Sequence, residues 1–299
     1  MNRVAQHPVF SFGAALLAVA VLSTMDAVMK HLVLAIGIVA VSVWRAVANL
    51  LISAALYLPR RLPWPTRRTL GIHIVRSIDV AVMAGLFFWG IGRVPLAQAL
   101  ALTFIAPLIA MLLAPMFLNE RLGARSIAGA LLAFAGVVVI VAGQVQSHVG
   151  AQVLLGSVAI IASAICYSAN ILMMRWQALA AKPLEINFFQ GVVVLALWLL
   201  ALPLVGVPEL PRGQEQWVIV ASVLSTLGGL LFSWAYARGE ASYIAVTEYS
   251  GFLWAAMFGW LIFAEPVSAT TLAGAMLIIG GCLFASKRSA AAPEMEAVA

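Results

Sequence analysis

The sequence predicts an all-α membrane protein of ten transmembrane helices, arranged as two inverted five-helix repeats with both termini cytoplasmic. Three observations predict it. The 299 residues are 64% hydrophobic and only 9% charged, with a mean hydropathy of +1.06. A soluble domain has about 25% charged residues, so this chain cannot cover a water-facing surface. Its apolar runs reach the roughly 20 residues a helix needs to cross the hydrocarbon core, without the short alternating segments of a membrane barrel. The second half also repeats the first at a constant offset of 145 residues: Phe87, Trp89 and Arg93 fall on Phe232, Trp234 and Arg238, Glu120 on Glu265, and Ser23, Met29 and Lys30 on Ser168, Met174 and Arg175. Trp, Arg and Glu are scarce here, so their coincidence without a gap carries the argument. Repeats holding an odd number of spans sit upside down relative to each other, as in secondary transporters.

The spans follow from apolar runs bounded by charges and turn residues. The first, 10–31, follows Arg3; Asp26 and Lys30 stand where a leader peptide would be cleaved, so it is kept as a span. The second, 37–58, ends at the Pro59–Pro65 stretch. The third is 69–92. The fourth, 95–118, opens at Pro95 and contains Pro107. The fifth, 124–143, carries a stripe of Gly129, Ala133 and Gly136. Gly143–Gly150 separates it from the sixth, 152–174. The seventh, 185–205, ends in Pro203–Pro211. The eighth, ninth and tenth are 216–237, 241–264 and 267–286, the last with a matching stripe of Gly274, Gly280 and Gly281. Small residues let helices approach closely in lipid, so the fifth and tenth are expected to pack on each other. The two repeats are 10–143 and 152–286, with a tail at 287–299.

Basic residues orient the spans. With the N-terminus in the cytoplasm, Arg3, Arg60, Arg61, Arg67, Arg68, Arg121, Arg125, Arg175, Lys182, Arg238, Lys287 and Arg288 lie inside, and only Lys30, Arg93 and Arg212 outside. This asymmetry obeys the positive-inside rule. The net charge of +6 therefore reflects orientation rather than nucleic-acid binding. The two cysteines, Cys166 and Cys282, lie in apolar runs and form no metal or disulfide pattern.

Asn119-Glu120-Arg121 after the fourth span, Ala264-Glu265-Pro266 at the matching place, and Pro95 with Ala106-Pro107-Leu108 resemble the drug/metabolite transporter superfamily, EamA type. The resemblance runs from about residue 10 to 286, and its nearest look is to the bacterial aromatic amino acid exporters. It implies a multi-pass carrier of the bacterial inner membrane that moves small metabolites outward. The second half departs from the first where Phe252 replaces Pro107, Gln190 replaces Arg45 and Glu248 replaces Thr103.

A charge at mid-helix costs about 2.5–3.5 kcal/mol on insertion scales, so intramembrane polar residues must pair, reach an interface or face a wet cavity. Asp26 and Lys30 are four apart near the outer end of the first span, as a helix-end pair or the mouth of a cavity. Arg45, a third of the way into the second, either holds a substrate carboxylate or pairs with a carboxylate of a neighbouring helix. Arg76 and Asp79 are three apart in the third, either self-neutralised or partners of a gate. Glu248, among Tyr243, Thr247 and Tyr249, can carry a proton or hold an ammonium; otherwise it bonds a Tyr or a base such as Arg45. Glu120 and Glu265 are expected to cap the helices that follow them. Tyr167 shares its depth with Ser163 and Asn170. Pro107 deprives the Thr103 carbonyl of its helical donor and kinks the fourth span toward a cavity. The candidate binding residues are thus Glu248, Arg45, Tyr167, Thr103, Tyr249, Asn170 and Trp234.

These features point to an alternating-access exporter, most simply of aromatic or large neutral amino acids, whose zwitterions need an acid, a base and an apolar slot. A nucleoside, nucleotide sugar or cationic drug is the alternative cargo. An intramembrane enzyme or a pore fits less well: His7, His31, His73 and His148 are scattered, and no nucleophile–base spacing, phosphate loop or selectivity filter is visible. The expected partners are the cargo, the bilayer and a coupled proton, with no cofactor, metal or nucleic acid, in a monomer.

Overall fold

The computed structural model describes residues 8–61, 64–106, 108–110, 124–146, 150–236 and 247–286. Among them the regular elements are all helical: α1 (Pro8–Tyr57), α2 (Arg67–Ile91), α3 (Leu96–Thr103), α4 (Ala124–Gln146), α5 (Ala151–Ala180), α6 (Pro183–Val205), α7 (Glu215–Tyr236), α8 (Gly251–Phe263) and α9 (Ala269–Ser286), with a 3₁₀ turn at Leu58–Arg60. By length and composition α1, α2, α5, α6 and α7 can cross a membrane; α4, α8, α9 and the run through α3 to Ala110 contain shorter apolar helices.

The 50 residues of α1 would span about 75 Å at 1.5 Å per residue, against a hydrocarbon core of roughly 30 Å. They are not one rod. Gly37 sits at φ 76°, ψ 160°, a backbone conformation that side chains rarely allow, and divides α1 into two limbs. The expected spans 10–31 and 37–58 therefore join through one glycine rather than a loop. Polar caps set other ends: Thr66 Oγ1 accepts from Thr69 N at 3.2 Å at the start of α2, and Ser268 Oγ accepts from Thr271 N at 3.1 Å at the start of α9.

The repeat is visible as packing. A Cβ on Gly136 would lie 2.6 Å from the Gly274 carbonyl oxygen, and one on Gly281 would lie 2.5 Å from that of Gly129. Adding 145 carries Gly129 to Gly274 and Gly136 to Gly281. The two contacts are therefore one contact seen twice, which is the mark of a twofold-related interface. The expected packing of these two small-residue stripes is thus observed between α4 and α9. Similarly, Gly90 of α2 rests against Ile160 and Gly156 of α5, and the corresponding Ala235 of α7 rests in a buried cluster with Ala15 of α1. Exchanging the halves maps the pairings α1–α7 and α2–α5 onto each other, and α4–α9 and α3–α8 each onto itself.

Overpacking a tight core costs about 1–3 kcal/mol. Gly136→Leu is therefore expected to lower the thermal midpoint of the purified protein by several degrees, whereas Gly13→Leu, with nothing within 4 Å, leaves it unchanged. Equal midpoints would show that α4 and α9 are not in close contact.

Both fourth-position helices are interrupted. After α3, Phe104 N bonds Ala101 O at 3.3 Å and Ile105 N bonds Leu102 O at 3.5 Å, before helix resumes toward Ala110. Ahead of α8, Ser250 N bonds Thr247 O at 3.0 Å and Phe252 N bonds Tyr249 O at 3.3 Å. The offset carries Phe104-Ile105 onto Tyr249-Ser250, so both halves break at one register. Pro107 lies outside the described residues. Phe252 takes its place in the second half, so that break forms without a proline.

Candidate functional site

The two interruptions meet. The rings of Phe104 and Tyr249 pack edge to face, with centroids 5.4 Å apart and planes at 85°. The residue before Tyr249 is Glu248, whose Oε2 accepts the Tyr167 hydroxyl of α5 at 3.4 Å. At the equivalent position of the first half, Thr103 donates its hydroxyl to Leu100 O at 2.8 Å within its own helix. The centre is thus acidic on one side only. A tyrosine is thus one partner of Glu248.

A polar seam leads away from this centre between α2 and α5. On α5, Ser163, Asn170 and Gln177 recur every seventh residue and share one face. Ser163 Oγ donates to Met83 O at 2.8 Å. Arg76 Nε donates to Asn170 Oδ1 at 2.8 Å, and Arg76 Nη1 to Gln177 Oε1. Gln177 Nε2 bonds His73 Nδ1 at 2.7 Å, and His73 Nε2 meets Glu185 Oε1 at 3.1 Å. The His73 ring is stacked on Phe189 at 5.3 Å and fully buried. Of the two alternatives for Arg76 and Asp79, self-neutralisation by a direct ion pair is not what forms. Arg76 reaches across to α5 instead, because a long side chain crossing to a facing helix finds two well-placed acceptors. Asp79 stays within electrostatic reach, but no ion pair forms, and its Oδ2 is buried without a hydrogen-bond partner.

The expected Asp26–Lys30 pair is likewise not made. Lys30, 3% exposed, donates to Val94 O at 2.8 Å and forms an ion pair with Glu265. Its ammonium also lies 5.1 Å from the centroid of Phe263. Glu265 Oε2 accepts from Leu96 N at 2.9 Å. The acid therefore caps α3, a helix of the other half, rather than α9, which Ser268 caps. Local chain geometry aims it there: Ala264 adopts a left-handed conformation (φ 53°), Glu265 N returns to Gly259 O at 3.0 Å, and Gly259 leaves room, since an added Cβ would sit 3.3 Å from Glu265 Oε2. Lys30 and Glu265 line a cleft of about 350 Å³ with Arg93, Val94 and Gln98. Gln98 Nε2 is buried without a hydrogen-bond partner.

Asp26 lies within electrostatic reach of Arg45, without an ion pair; the Arg45 guanidinium lies over the Phe88 ring at 4.9 Å, and its Nε is buried without a hydrogen-bond partner. Its acidic neighbour is on its own helix, beyond the Gly37 bend. Trp234 packs against the Ala15–Ala235 contact. The repeated Trp–Arg spacing has a local cause in the first half: Arg93 stacks on Trp89 at 3.6 Å and donates to its carbonyl oxygen at 2.9 Å. Glu120, Arg238 and Tyr243 lie outside the described residues.

His73, Gln177 and Glu185 escaped sequence reasoning. The signal that could have found them is the seven-residue spacing of Ser163, Asn170 and Gln177, together with His73 and Arg76 three apart in an otherwise apolar span.

The EamA-like transporter family model matches residues 10–142 and again 154–287. The pseudopaline exporter of Pseudomonas aeruginosa (strain UCBPP-PA14) is 27% identical over 225 residues, 74% of this chain and 77% of that one. The riboflavin transporter of Brucella anthropi is 26% identical over 223 residues, 72% and 75% of the two chains, and that of Vibrio cholerae 24% over 222 residues, 72% and 70%. A solved crystal structure superposes with TM-score 0.61 at 20% identity, covering 93% of this chain and 96% of the other, a likeness of fold. The relatives are thus named for pseudopaline and riboflavin, not for the aromatic amino acids that the sequence suggested.

Proposed function

The chain belongs to the EamA-like transporter family, and from that membership we propose that it exports a small amphipathic metabolite across the bacterial inner membrane by alternating access. In this reading ten crossings form two inverted halves, repeats 10–143 and 152–286, with both termini cytoplasmic. The halves rock about a central chamber. The observation that carries it is the Tyr167–Glu248 hydrogen bond beside the meeting of the two interrupted helices. Broken helices at membrane depth are tolerated where they line a cavity, and an intramembrane acid there is a site for cargo or for a coupled proton. Tyr249, Thr103 and Asn170 complete the lining. The ion pair of Lys30 with Glu265 holds one end closed.

Aromatic or large neutral amino acids remain the cargo favoured by an acid, a base and aromatic rings at one depth. A second reading, a different metabolite on the same fold, is favoured by the names of the relatives. Counterflow of labelled phenylalanine and threonine into proteoliposomes tests the first: accumulation above empty vesicles is expected, and its absence rejects the amino acid cargo. Competition by unlabelled riboflavin, with no effect of either amino acid, would favour the second.

A further inference from the structure

We infer that Arg76 is a binding site for the carboxylate of the cargo, built by the α2–α5 seam. The inference rests on reading the chamber as the cargo site, and it names the chemical class that the site selects.

The duplicated crossing supplies an internal control. At the offset of 145, His73, Arg76, Asn170 and Gln177 correspond to Val218, Ala221, Met25 and Leu32. These four are buried and belong to the main apolar core. The same crossing therefore packs without a charge or an amide. Nothing in the architecture requires the polar version, and a guanidinium at membrane depth carries a cost of about 2.5–3.5 kcal/mol. Buried ionic groups are seldom retained for stability alone.

The arrangement suits an anion. Arg76 is held by two neutral amide oxygens, so its orientation is set while its charge is not cancelled by a direct ion pair among the described residues. Two of its five N–H donors are used, which leaves donors for a carboxylate in the bidentate geometry that guanidinium favours. Arg76 is half-buried rather than enclosed. Gln177 is in turn fixed by His73, and His73 by Glu185 and Phe189. The titratable groups facing Arg76 are Asp79 on its own helix and, from α5, the neutral Tyr167 hydroxyl, which donates to Glu248. Lys30 is answered by Glu265; Arg45 lies over the Phe88 ring with Asp26 within electrostatic reach, without an ion pair between them. Arg76 is the membrane-depth cation held by two amides, and its partner Asn170 lies one helical turn along α5 from Tyr167, which bonds the acid that would take an ammonium.

The test gives the seam its twin's residues. Thermal unfolding of the purified protein is followed with phenylalanine, tryptophan and leucine, each against its primary amide. In the unaltered protein at least one acid is expected to stabilise more than its amide. The fourfold variant His73→Val, Arg76→Ala, Asn170→Met, Gln177→Leu is expected to unfold at the same or a higher temperature, yet to bind that acid about tenfold or more weakly and to lose the preference over the amide. Arg76→Lys alone retains part of it. Equal response to acid and amide in the unaltered protein, a preserved preference in the variant, or a variant that no longer folds would each overturn the inference, the last by making the seam structural. Acid-selective binding without counterflow of any solute would reject the transport reading and leave Arg76 as a carboxylate-binding site only.

Discussion

Glu248→Gln is expected to reduce transport by about tenfold to a hundredfold while leaving the protein folded. Glutamine keeps the size of the side chain, and its carbonyl oxygen still accepts the Tyr167 hydroxyl, so the thermal midpoint stays close to that of the unaltered protein. The charge is lost. A hydrogen bond to a charged group contributes about 1.5–3 kcal/mol, and about 1.4 kcal/mol is a factor of ten, which sets the range. The amide also cannot take up or release a proton, so any pH dependence of the rate flattens. Tyr167→Phe removes one donor and leaves the acid, and its effect is smaller. Initial rates of counterflow against pH check this; an unchanged rate and profile in Glu248→Gln would remove the acid from the mechanism.

The second large effect is expected at the Lys30–Glu265 contact. It joins the two halves, since Lys30 and the capped α3 belong to the first and Glu265 to the second. Removing one partner of a buried ion pair costs about 3–5 kcal/mol. The side chains are 4% and 20% exposed, so Lys30→Ala falls toward the lower end. Its destabilised closed end should open more often. A cysteine at Gln98, which lines both neighbouring clefts, should then react severalfold faster with a membrane-impermeant maleimide, and the transport rate should fall. The charge swap Lys30→Glu with Glu265→Lys restores attraction but neither bond to the backbone: a glutamate cannot donate to Val94 O, and a lysine cannot accept from Leu96 N. Rescue is therefore partial. Unchanged labelling in Lys30→Ala would show that this pair closes nothing.

The repeat, the small-residue stripes and the depth of the polar residues were legible in the sequence because each is a matter of spacing along one helix. That the two stripes pack on each other follows from the repeat; that Gly129 and Gly136 meet Gly281 and Gly274 is seen only in the structure. What was not legible was partnership. Asp26 with Lys30 and Arg76 with Asp79 were paired by the rule for neighbours on an isolated helix, where water surrounds every alternative. In a packed bundle a long cationic side chain can reach a facing helix, and the carbonyls, amides and carboxylates found there compete with the local acid. Lys30 therefore went to Glu265, 235 residues away, and Arg76 to Asn170 and Gln177. Glu265 misled for the same reason: it follows one helix and precedes another, yet the exposed amide it serves is that of Leu96. The break before Phe252 lacked the proline that marks its counterpart and could be found only by carrying the first break across the repeat.

The mirrored glycine contacts between α4 and α9 have a consequence for how such a molecule acquires selectivity. Two separate identical chains meeting through that seam would express every substitution twice, and a charge suited to one crossing would burden its twin as well. Joining the copies in a single reading frame lets each crossing vary alone. A guanidinium could then settle in one crossing while methionine and leucine filled the other.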